Sequence, residues 1–563
     1  MRIRLAIAEW LPDYQLAWLA PDLLAGAAVW AVLVPTALAY AGLVGVDPIV
    51  GLYTVPAALL AYAIFGGSRL LVVGPDAAVA VLSGATIAAV GVGTNTLDSA
   101  IALALLVGLL YLVFSFFRLG WVSDLISDPV LKGVVEGIVW ITILKQVVKL
   151  FGLKIETADE RFFPKLIHIV QALPETHTIT SIVGVLSLIA LLAIPRFVPR
   201  LPAPLIVLVI SILLVGVLDL AGQDVSVLGD ASSNVAGFSF SNVFNVGQLV
   251  ELLPGALAVV VLGSTLSLAA AKRAAEKTGE RIDPDREFLA VGAANLGAGL
   301  SGGYPVAGTL SKTAVAMHSG GVTQICNIFT ALLALLAILF LIPFFGSLAD
   351  ASLAALVIVV MSEVSDIGYF IALWRVRRLE CVIAVAAFAG VLAYGTLAGV
   401  MIGVLLALVM LADHIRRPPT TLVGRMPNGV FADLEEHKDA SEIPGMLIWR
   451  QNAPLVFLNA RRLSNELRAK VKEHDNVRVV LLDASTTSAV DATAASAFVA
   501  ARDEFAADGI VLWVANAHEK SWQRIVSALS NAGAPIPPQF DSLAEAVDKF
   551  ERLGTGAFET EDS

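Results

Sequence analysis

The strongest pattern along the chain is a series of long apolar runs between Asp22 and Asp413. A membrane-spanning helix needs about 20 mostly apolar residues, and ten runs are candidates for such helices, although some of them are shorter. An eleventh run, residues 126–150, is interrupted by Lys132, Glu136 and Lys145, which predicts a helix packed inside the protein rather than against lipid. The ten apolar runs are residues 22–43, 49–65, 97–117, 180–194, 204–220, 253–271, 322–342, 352–361, 382–394 and 396–411.

Two further segments predict short helices that begin inside the membrane. Residues 74–90 start with a Gly-Pro pair, and residues 306–318 follow the run Gly-Gly-Tyr-Pro. Proline fits the first turn of a helix because its missing N–H would be unpaired there. A simple proline kink is the alternative for each segment taken alone. Together, however, they are the third and tenth of about fourteen predicted elements, as in transporters whose two inverted repeats hold substrate at mid-membrane.

The basic residues predict an orientation. If the amino terminus, with Arg2 and Arg4, lies in the cytoplasm, nearly all basic loops follow even-numbered elements and face the cytoplasm too, as the positive-inside rule requires. We therefore expect a multi-pass protein of the cell membrane whose amino terminus and C-terminal domain are cytoplasmic. The mixed-charge loop 154–165 is the exception, and the basic loops hold Arg69, Arg118, Arg196, Arg200, residues 272–286, Arg375, Arg377, Arg378, Arg416 and Arg417.

Composition narrows the class of protein further. Hydrophobic residues form 57% of the chain and charged residues 15%, against about 25% charged residues in a soluble domain. These values exclude a soluble enzyme, a disordered chain and a disulfide scaffold. The net charge of -11 argues against nucleic-acid binding, which needs clustered Lys and Arg. The histidines form no metal-ligand pattern, so we expect no resident metal. We also expect no enzymatic activity and no cofactor.

One apparent cofactor motif is better explained by packing. Residues 297–302 match the dinucleotide pattern G-x-G-x-x-G. That pattern needs a preceding strand and an acidic residue about 20 positions later, and this apolar run has neither. Close contact between helices is the favoured interpretation of these glycines.

The chain changes character after Pro418 and Pro419. Residues 425–563 hold 21 acidic and 14 basic side chains, and paired prolines end helices and stiffen linkers. We predict a transmembrane domain at 1–418, a linker at 419–445, a soluble α/β domain at 446–555 and a disordered tail at 556–563. The predicted strands are 446–449, 455–458, 477–482 and 510–515, and the predicted helices are 461–473, 493–507 and 521–532.

Six motifs stand in order along the membrane part: VPTALAYA at 34–41, PIVGLY at 48–53, GGSR at 66–69, VGPDA at 73–77, IDPDRE at 282–287 and GGYPVAGTLSKTAV at 302–315. Together they resemble the SulP sulfate-permease family. The resemblance implies an all-α membrane domain of about fourteen elements, arranged as a seven-plus-seven inverted repeat with two half-helices. Through the run VDATA at 490–494, the tail resembles the STAS domain that follows the membrane domain in this family.

The resemblance also implies an anion site between the first, third and tenth elements. The family usually has Gln at the position of Thr36 and Arg at the position of Lys312. Lysine supplies the positive charge but cannot clamp an oxyanion with two parallel bonds. Two structural alternatives stay open: an ion pair for Lys312, and a helix cap for Asp76. The implied substrate-binding residues are Thr36, Tyr40, Gly74, Pro75, Asp76, Ala77, Thr309, Leu310, Ser311 and Lys312.

The family resemblance leaves cation coupling open. Many bacterial relatives carry an acid on the eighth span, where this chain has Ser264. Ser264, Thr265 and Asp76 are the candidate ligands for a sodium ion or a proton, although hydroxyls without a carboxylate bind cations weakly. We therefore expect anion exchange or facilitated anion movement rather than tight proton symport.

The resemblance implies a secondary transporter of small inorganic anions, such as sulfate, bicarbonate or chloride, that works by alternating access. A dicarboxylate transporter of the same family is one alternative. Another is a nucleobase permease of the same fold, which would need carboxylates on the eighth and tenth elements. A membrane-anchored signalling protein would need no paired broken helices. The STAS domain implies a homodimer, and Thr493 is its candidate phosphorylation site unless that hydroxyl only caps a helix.

Overall fold

The computed structural model describes residues 11–12, 14–90, 95–120, 128–155, 162–198, 201–229, 246–474 and 476–553. Side chains at 396, 397, 400, 404 and 407 are excluded from that description. The predicted disordered tail 556–563, Arg2 and Arg4 lie outside the described residues. The chain forms two compact units, Met1–Ala407 and Leu408–Ser563.

The described part of the first unit is mostly helical, as the apolar runs predict. Seven helical stretches of the described residues are long and apolar enough to cross a membrane by length and composition. The described helices are α1 (Leu19–Val44), α2 (Pro48–Phe65), α3 (Ala77–Ala89), α4 (Thr96–Phe116), α5 (Asp128–Leu150), α6 (Phe162–Ala172), α7 (Thr178–Phe197), α8 (Ala203–Leu218), α9 (Val246–Thr278), α10 (Pro284–Leu300), α11 (Leu310–His318), α12 (Ile325–Phe345), α13 (Asp350–Val364), α14 (Ile367–Val376), α15 (Arg378–Tyr394) and α16 (Thr396–Arg416).

Thirteen of these helices match the segments predicted from the sequence, α10 occupies the place of the ninth predicted element, for which no bounds were predicted, and two short helices are additional. Helix α6 lies in the segment predicted as the loop 154–165 and beyond it, and α14 follows α13. Helix α6 buries only Ile169, and α14 buries no residue. Short helices with one apolar face are typical of the membrane–water interface. Both α6 and α14 were missed from the sequence because neither helix is long enough to span a membrane. Each of them follows the fifth element of its repeat.

The two broken helices are confirmed as short helices entered from extended chain. Strand β1 (Val73–Gly74) precedes α3, and strand β2 (Ala307–Gly308) precedes α11. The two strands pair antiparallel, with Val73 opposite Gly308 and Gly74 opposite Ala307. Both helices therefore begin a few residues later than predicted, because the strand pairing uses the residues in between.

The helices of the first unit pack in two groups. The core group contains α1–α4 and α9–α12, and the gate group contains α5, α7, α8, α13 and α15. Helix α1 packs on α13 and α8 of the gate group as well as on its own group. Each repeat of seven thus gives its first four elements to the core group and later ones to the gate group, as an inverted repeat requires.

Glycines within the sequence motifs allow neighbouring helices to pack closely. A Cβ at Gly51 would lie 2.0 Å from the Ala37 carbonyl oxygen, and one at Gly297 would lie 2.8 Å from the Ala57 oxygen. Gly297 belongs to the run that matches the dinucleotide pattern. The packing interpretation of that run is confirmed.

The second unit is an α/β domain with a six-stranded sheet in the order β4-β3-β5-β6-β7-β8. The four strands from β5 to β8 are parallel, and β3 pairs antiparallel with β4 and β5. The elements are β3 (Thr420–Arg425), β4 (Phe431–Asp433), β5 (Met446–Gln451), α17 (Ala460–Glu473), β6 (Val479–Asp483), α18 (Ala492–Ala507), β7 (Val511–Ala515), α19 (Glu519–Asn531), β8 (Gln539–Phe540) and α20 (Leu543–Leu553).

Two features of this unit differ from the predictions. Residues 419–445, predicted as a linker, contain β3 and β4 and so belong to the sheet. The predicted strand 455–458 is wrong: only Leu455 makes a bridge, with Val490. Asn459 holds the chain in a turn there, since its side chain donates to the Pro454 oxygen and accepts from the Val456 amide. An apolar run this short does not distinguish a strand from a turn packed on the core.

A buried ion pair crosses the parallel strands of this sheet. Asp483 at the end of β6 accepts from Arg450 Nε of β5 at 2.7 Å and from Asn516 at 3.0 Å. Burial raises the pKa of Asp483, but these bonds and one from the Ser485 amide outweigh burial and leave it below its ordinary value. The carboxylate is thus held ionised as part of the sheet.

Candidate functional site

The β1–β2 ribbon brings the starts of the two half-helices together inside the core group. Beyond the paired residues, the Thr309 amide donates to the Val72 oxygen at 3.0 Å, and the Thr313 hydroxyl accepts from the Val72 amide at 3.1 Å. Gly74 lies in the ribbon, where a Cβ would meet Leu33 at 3.3 Å. The predicted residues of the third and tenth elements are therefore neighbours.

Asp76 caps the first half-helix. One oxygen of its carboxylate accepts from the Ala78 and Val79 amides at 3.0 and 3.3 Å. The predicted alternative for Asp76, a helix cap, is what this geometry provides. Ala77 is the first residue of α3, so the negative charge compensates the positive end of the helix.

The second half-helix begins without such a cap. Thr309 occupies the capping position, but its side chain makes no cap bond, and no side chain among the described residues accepts from the first amides of α11. Its hydroxyl instead donates to the Val72 oxygen at 3.4 Å. The next two residues, Leu310 and Ser311, are exposed. The positive end of α11 therefore opens towards accessible space.

Lys312 lies just inside α11 and is 2% exposed. Its ammonium donates to the Pro75 carbonyl at 2.8 Å and lies 5.3 Å from the centroid of the Tyr40 ring. Asp76 is close enough to attract it electrostatically. No carboxylate in the described part of the chain lies within 4.0 Å of the ammonium, so the ion-pair alternative for Lys312 has no direct contact to support it. A buried charge held this way is costly unless a ligand compensates it.

Helix α1 supplies the aromatic side of the site. Tyr40 is 3% exposed and faces Lys312. Thr36, one turn earlier, is also buried, and its hydroxyl donates to the Val32 and Leu33 oxygens of its own helix at 2.9 and 3.0 Å. The Thr36 hydroxyl therefore donates to the backbone of its own helix and not to the residues of the two half-helices.

The two hydroxyl candidates for cation coupling are also turned towards their own helix. Ser264 and Thr265 donate to the Val261 oxygen at 2.8 and 3.0 Å. The described residues contain no group of three or more His, Cys, Asp or Glu side chains that could hold a metal ion. Neither observation identifies a cation ligand set.

Several side chains that support the site were missed from the sequence. Ser267 accepts from the Gly308 amide at 2.8 Å. Asn295 pairs with the backbone of Val306, and the Tyr304 hydroxyl donates to the Ala37 oxygen at 3.3 Å. A polar residue in an apolar span is the signal that could have found them. Their partners are backbone atoms, which no side-chain pattern reveals.

The extended chain before β1 is held in a similar way. The Gln324 side chain donates to the Ser68 and Leu71 oxygens at 2.8 and 3.2 Å. The Asn327 side chain donates to the Leu71 oxygen at 2.7 Å. Both amides come from the start of α12. Each extended arm of the ribbon therefore rests on amide side chains from a neighbouring helix.

The regulatory candidate Thr493 is exposed near the start of α18. Asp491, not Thr493, caps this helix, since its carboxylate accepts from the Ala494 amide at 2.8 Å. The simple capping role considered for the Thr493 hydroxyl is therefore wrong. The hydroxyl is left at the surface.

Comparison with known proteins agrees with these features. The sulfate permease family profile matches residues 19–387, and the STAS domain profile matches residues 437–546. A protein of Mycobacterium tuberculosis named as a probable sulfate transporter is 31% identical over 557 residues, covering 97% of this chain and 99% of that protein. Probable sulfate transporter 4.2 of Arabidopsis thaliana is 28% identical and covers 91% of this chain and 77% of that protein.

Solved structures show the same fold at lower identity. The murine Solute Carrier 26 family member A9 anion transporter, in an inward-facing state, superposes with a TM-score of 0.88 at 21% identity, covering 97% of this chain and 94% of that chain. The transmembrane domain of a cyanobacterial bicarbonate transporter superposes with a TM-score of 0.59 at 23% identity, covering 70% of this chain and 98% of that domain.

Proposed function

The chain belongs to the sulfate permease family, and from this premise we propose that it is a secondary transporter of small inorganic anions. The observation that carries the proposal is the buried Lys312 ammonium beside the uncapped start of α11. The positive end of a helix and its free amides attract anions, and the lysine adds a full charge. Related proteins are named sulfate transporters, so sulfate is the first substrate to test, followed by bicarbonate and chloride.

In this proposal the anion binds between α1, α3 and α11. The free amides of Leu310 and Ser311 and the Lys312 ammonium supply the attraction, and Thr309, Gly74, Pro75 and Ala77 shape the backbone around it. The lysine ammonium acts as a point charge, whereas an arginine guanidinium is planar and can donate two parallel hydrogen bonds. The site would therefore select charge and size more than the geometry of an oxyanion. Tyr40 closes the anion site on one side. The Thr36 hydroxyl would have to rotate away from its own helix to donate a hydrogen bond to the anion.

Alternating access would come from movement of the core group against the gate group. Both half-helices belong to the core group and are joined by the ribbon, so the site would move as one piece. No covalent step is part of this mechanism. The family's dicarboxylate transporters are the second candidate class. A nucleobase permease is not favoured, because Ser264 and residues 309–312 offer no carboxylate.

We further propose anion exchange or facilitated movement, with sodium or proton coupling as the alternative. Asp76 is committed to the cap of α3, and Ser264 and Thr265 donate to their own helix. Moving one uncompensated charge across 100 mV costs about 2.3 kcal/mol. A returning anion is the simplest way to compensate that charge.

The main test measures flux into proteoliposomes that contain the purified protein. We expect uptake of sulfate, bicarbonate or chloride in exchange for an internal anion. Lys312→Gln, and still more Lys312→Ala, should raise the half-saturating anion concentration at least ten-fold, or about 1.4 kcal/mol, because the buried charge is lost. The panel should include fumarate and uracil.

The matched control is Lys277→Gln. Lys277 also donates to a backbone carbonyl, that of Met317 at the other end of α11, but it is exposed. Its variant should transport like the wild type. Uracil uptake without anion uptake, or unchanged anion affinity in Lys312→Ala, would contradict the proposed function.

We also propose a cytoplasmic amino terminus and STAS domain, an inner-membrane location and a homodimer, from the basic loops and the family resemblance. Cysteine labelling from each side of the membrane tests the orientation. Native mass measurement of the chain with and without residues 420–563 tests the dimer. A truncated chain that dimerises fully would assign the STAS domain another role, for which Thr493 phosphorylation is a candidate.

A further inference from the structure

The extended chain that leads into α11 crosses the interior of the core group. In a membrane, backbone N–H and C=O groups outside a helix need partners within the protein. Four amides of this segment find single acceptors: Gly303 bonds to the Ala298 oxygen at 2.8 Å, Tyr304 to the Thr54 hydroxyl at 3.4 Å, Gly308 to the Ser267 hydroxyl at 2.8 Å and Thr309 to the Val72 oxygen at 3.0 Å.

Val306 is satisfied differently, by one side chain that bonds both of its backbone groups. The Asn295 Nδ2 donates to the Val306 oxygen at 2.9 Å, and the Asn295 Oδ1 accepts from the Val306 amide at 2.9 Å. A side-chain amide has the same donor and acceptor as a backbone peptide. Asn295 therefore acts on Val306 as a neighbouring strand would.

The orientation of Asn295 is itself fixed. Its Nδ2 also donates to the Val291 oxygen of its own helix at 2.9 Å, and the side chain is 0% exposed. Exchanging the positions of its oxygen and nitrogen would place two acceptors or two donors face to face. The side chain thus has one arrangement that satisfies every bond.

We propose that Asn295 is a positioning residue for the anion site. In this role it acts through Val306 and need not contact the site residues itself. It fixes Val306, which is directly followed by β2, by Thr309 and by the open start of α11. A shift at Val306 would move the free amides and Lys312 relative to Pro75 and α3. This inference rests on the proposed function and adds a determinant of anion affinity to it.

The test compares three substitutions in the full-length chain. Asn295→Leu removes both bonds to Val306, and Asn295→Ser is a milder change in case the leucine variant does not fold. The control is Gln248→Leu, because Gln248 is a buried amide whose Nε2 donates to the Ser99 hydroxyl at 2.7 Å, away from the ribbon.

Two readouts are measured on proteoliposomes of each variant: the half-saturating concentration of sulfate or chloride, and hydrogen exchange of the backbone amides at 306–309. Both Asn295 variants should raise the half-saturating concentration at least ten-fold, with a smaller change in maximal rate, and should speed exchange at 306–309. Gln248→Leu should leave both readouts within two-fold.

Unchanged affinity, or lower affinity without faster exchange at 306–309, would overturn the positioning role. A similar affinity loss in Gln248→Leu would also overturn it, since the effect would then follow any lost buried amide. If the wild type moves none of sulfate, bicarbonate and chloride, the proposed function and this inference both fail. Wild-type transport with unaffected Asn295 variants defeats this inference alone.

Discussion

The third and tenth elements enter the core group in the same way, but their helices begin differently. Both are extended, pair with each other in the β1–β2 ribbon and then form short helices. At α3 the Asp76 carboxylate accepts the first free amides. At α11 no side chain of the described residues does so, and Lys312 brings a positive charge instead.

This difference separates the two roles that a helix start can have inside a membrane. A capped start is complete within the protein and needs no ligand. An open start with a nearby cation leaves free amides and a positive charge that favour the binding of an anion. The inverted repeat thus duplicates the backbone, while in the proposed transport mechanism single side chains determine which copy binds the anion.

The largest effect should come from making the second helix start like the first. Thr309→Asp would place a carboxylate where α11 is open. Two charges about 5 Å apart at an effective dielectric constant of about 20 interact by about 3 kcal/mol. Anion affinity, measured as half-saturating sulfate or chloride in proteoliposomes, should therefore fall roughly a hundred-fold.

Thr309→Asn is the control for this substitution, because asparagine caps a helix without adding charge. It should weaken affinity much less than Thr309→Asp. Equal losses in the two variants would mean that occupation of the helix start, rather than charge, is what the anion competes with. Wild-type affinity in both would exclude the start of α11 from the site.

A smaller effect is expected from removing the charge at the first helix start. Asp76→Asn keeps a capping oxygen but removes a negative charge near Lys312. We expect anion affinity to rise by about two- to ten-fold, and uptake to remain independent of an inward pH gradient. Asp76→Ala should in addition lower the free energy of unfolding by about 1 kcal/mol, since the cap itself is lost.

Uptake under an imposed proton gradient decides between a cap and a coupling acid. Accumulation that follows the gradient in the wild type and disappears in Asp76→Asn would make Asp76 the coupling residue. Accumulation that follows the gradient and survives in Asp76→Asn would contradict exchange and assign coupling to another group. Thermal unfolding of Asp76→Asn and Asp76→Ala reports the cap independently of transport.

The sequence predicted the elements better than their contacts. Apolar runs of about 20 residues and the Gly-Pro signals placed the spans and both broken helices, because each depends on local composition and backbone geometry. The short helices α6 and α14 were missed, since a short segment that is apolar on one side only lacks the continuous apolar run that predicts a span. The strand predicted at 455–458 was wrong because Asn459 closes a turn through local bonds.

The sequence by itself also determined that a lysine lies inside a span and that a carboxylate stands in the first turn of α3. Only the tertiary structure decided that the carboxylate caps, that the lysine donates to Pro75 and that Thr36 and Ser264 turn to their own helices. It also decided the partners of Asn295, Ser267 and Asn327. The physical reason is that these bonds go to backbone atoms, those of Asp76, Thr36 and Ser264 within their own helices and the others in distant segments. Every residue carries such atoms, so only the packing of the helices selects which of them a buried polar side chain meets.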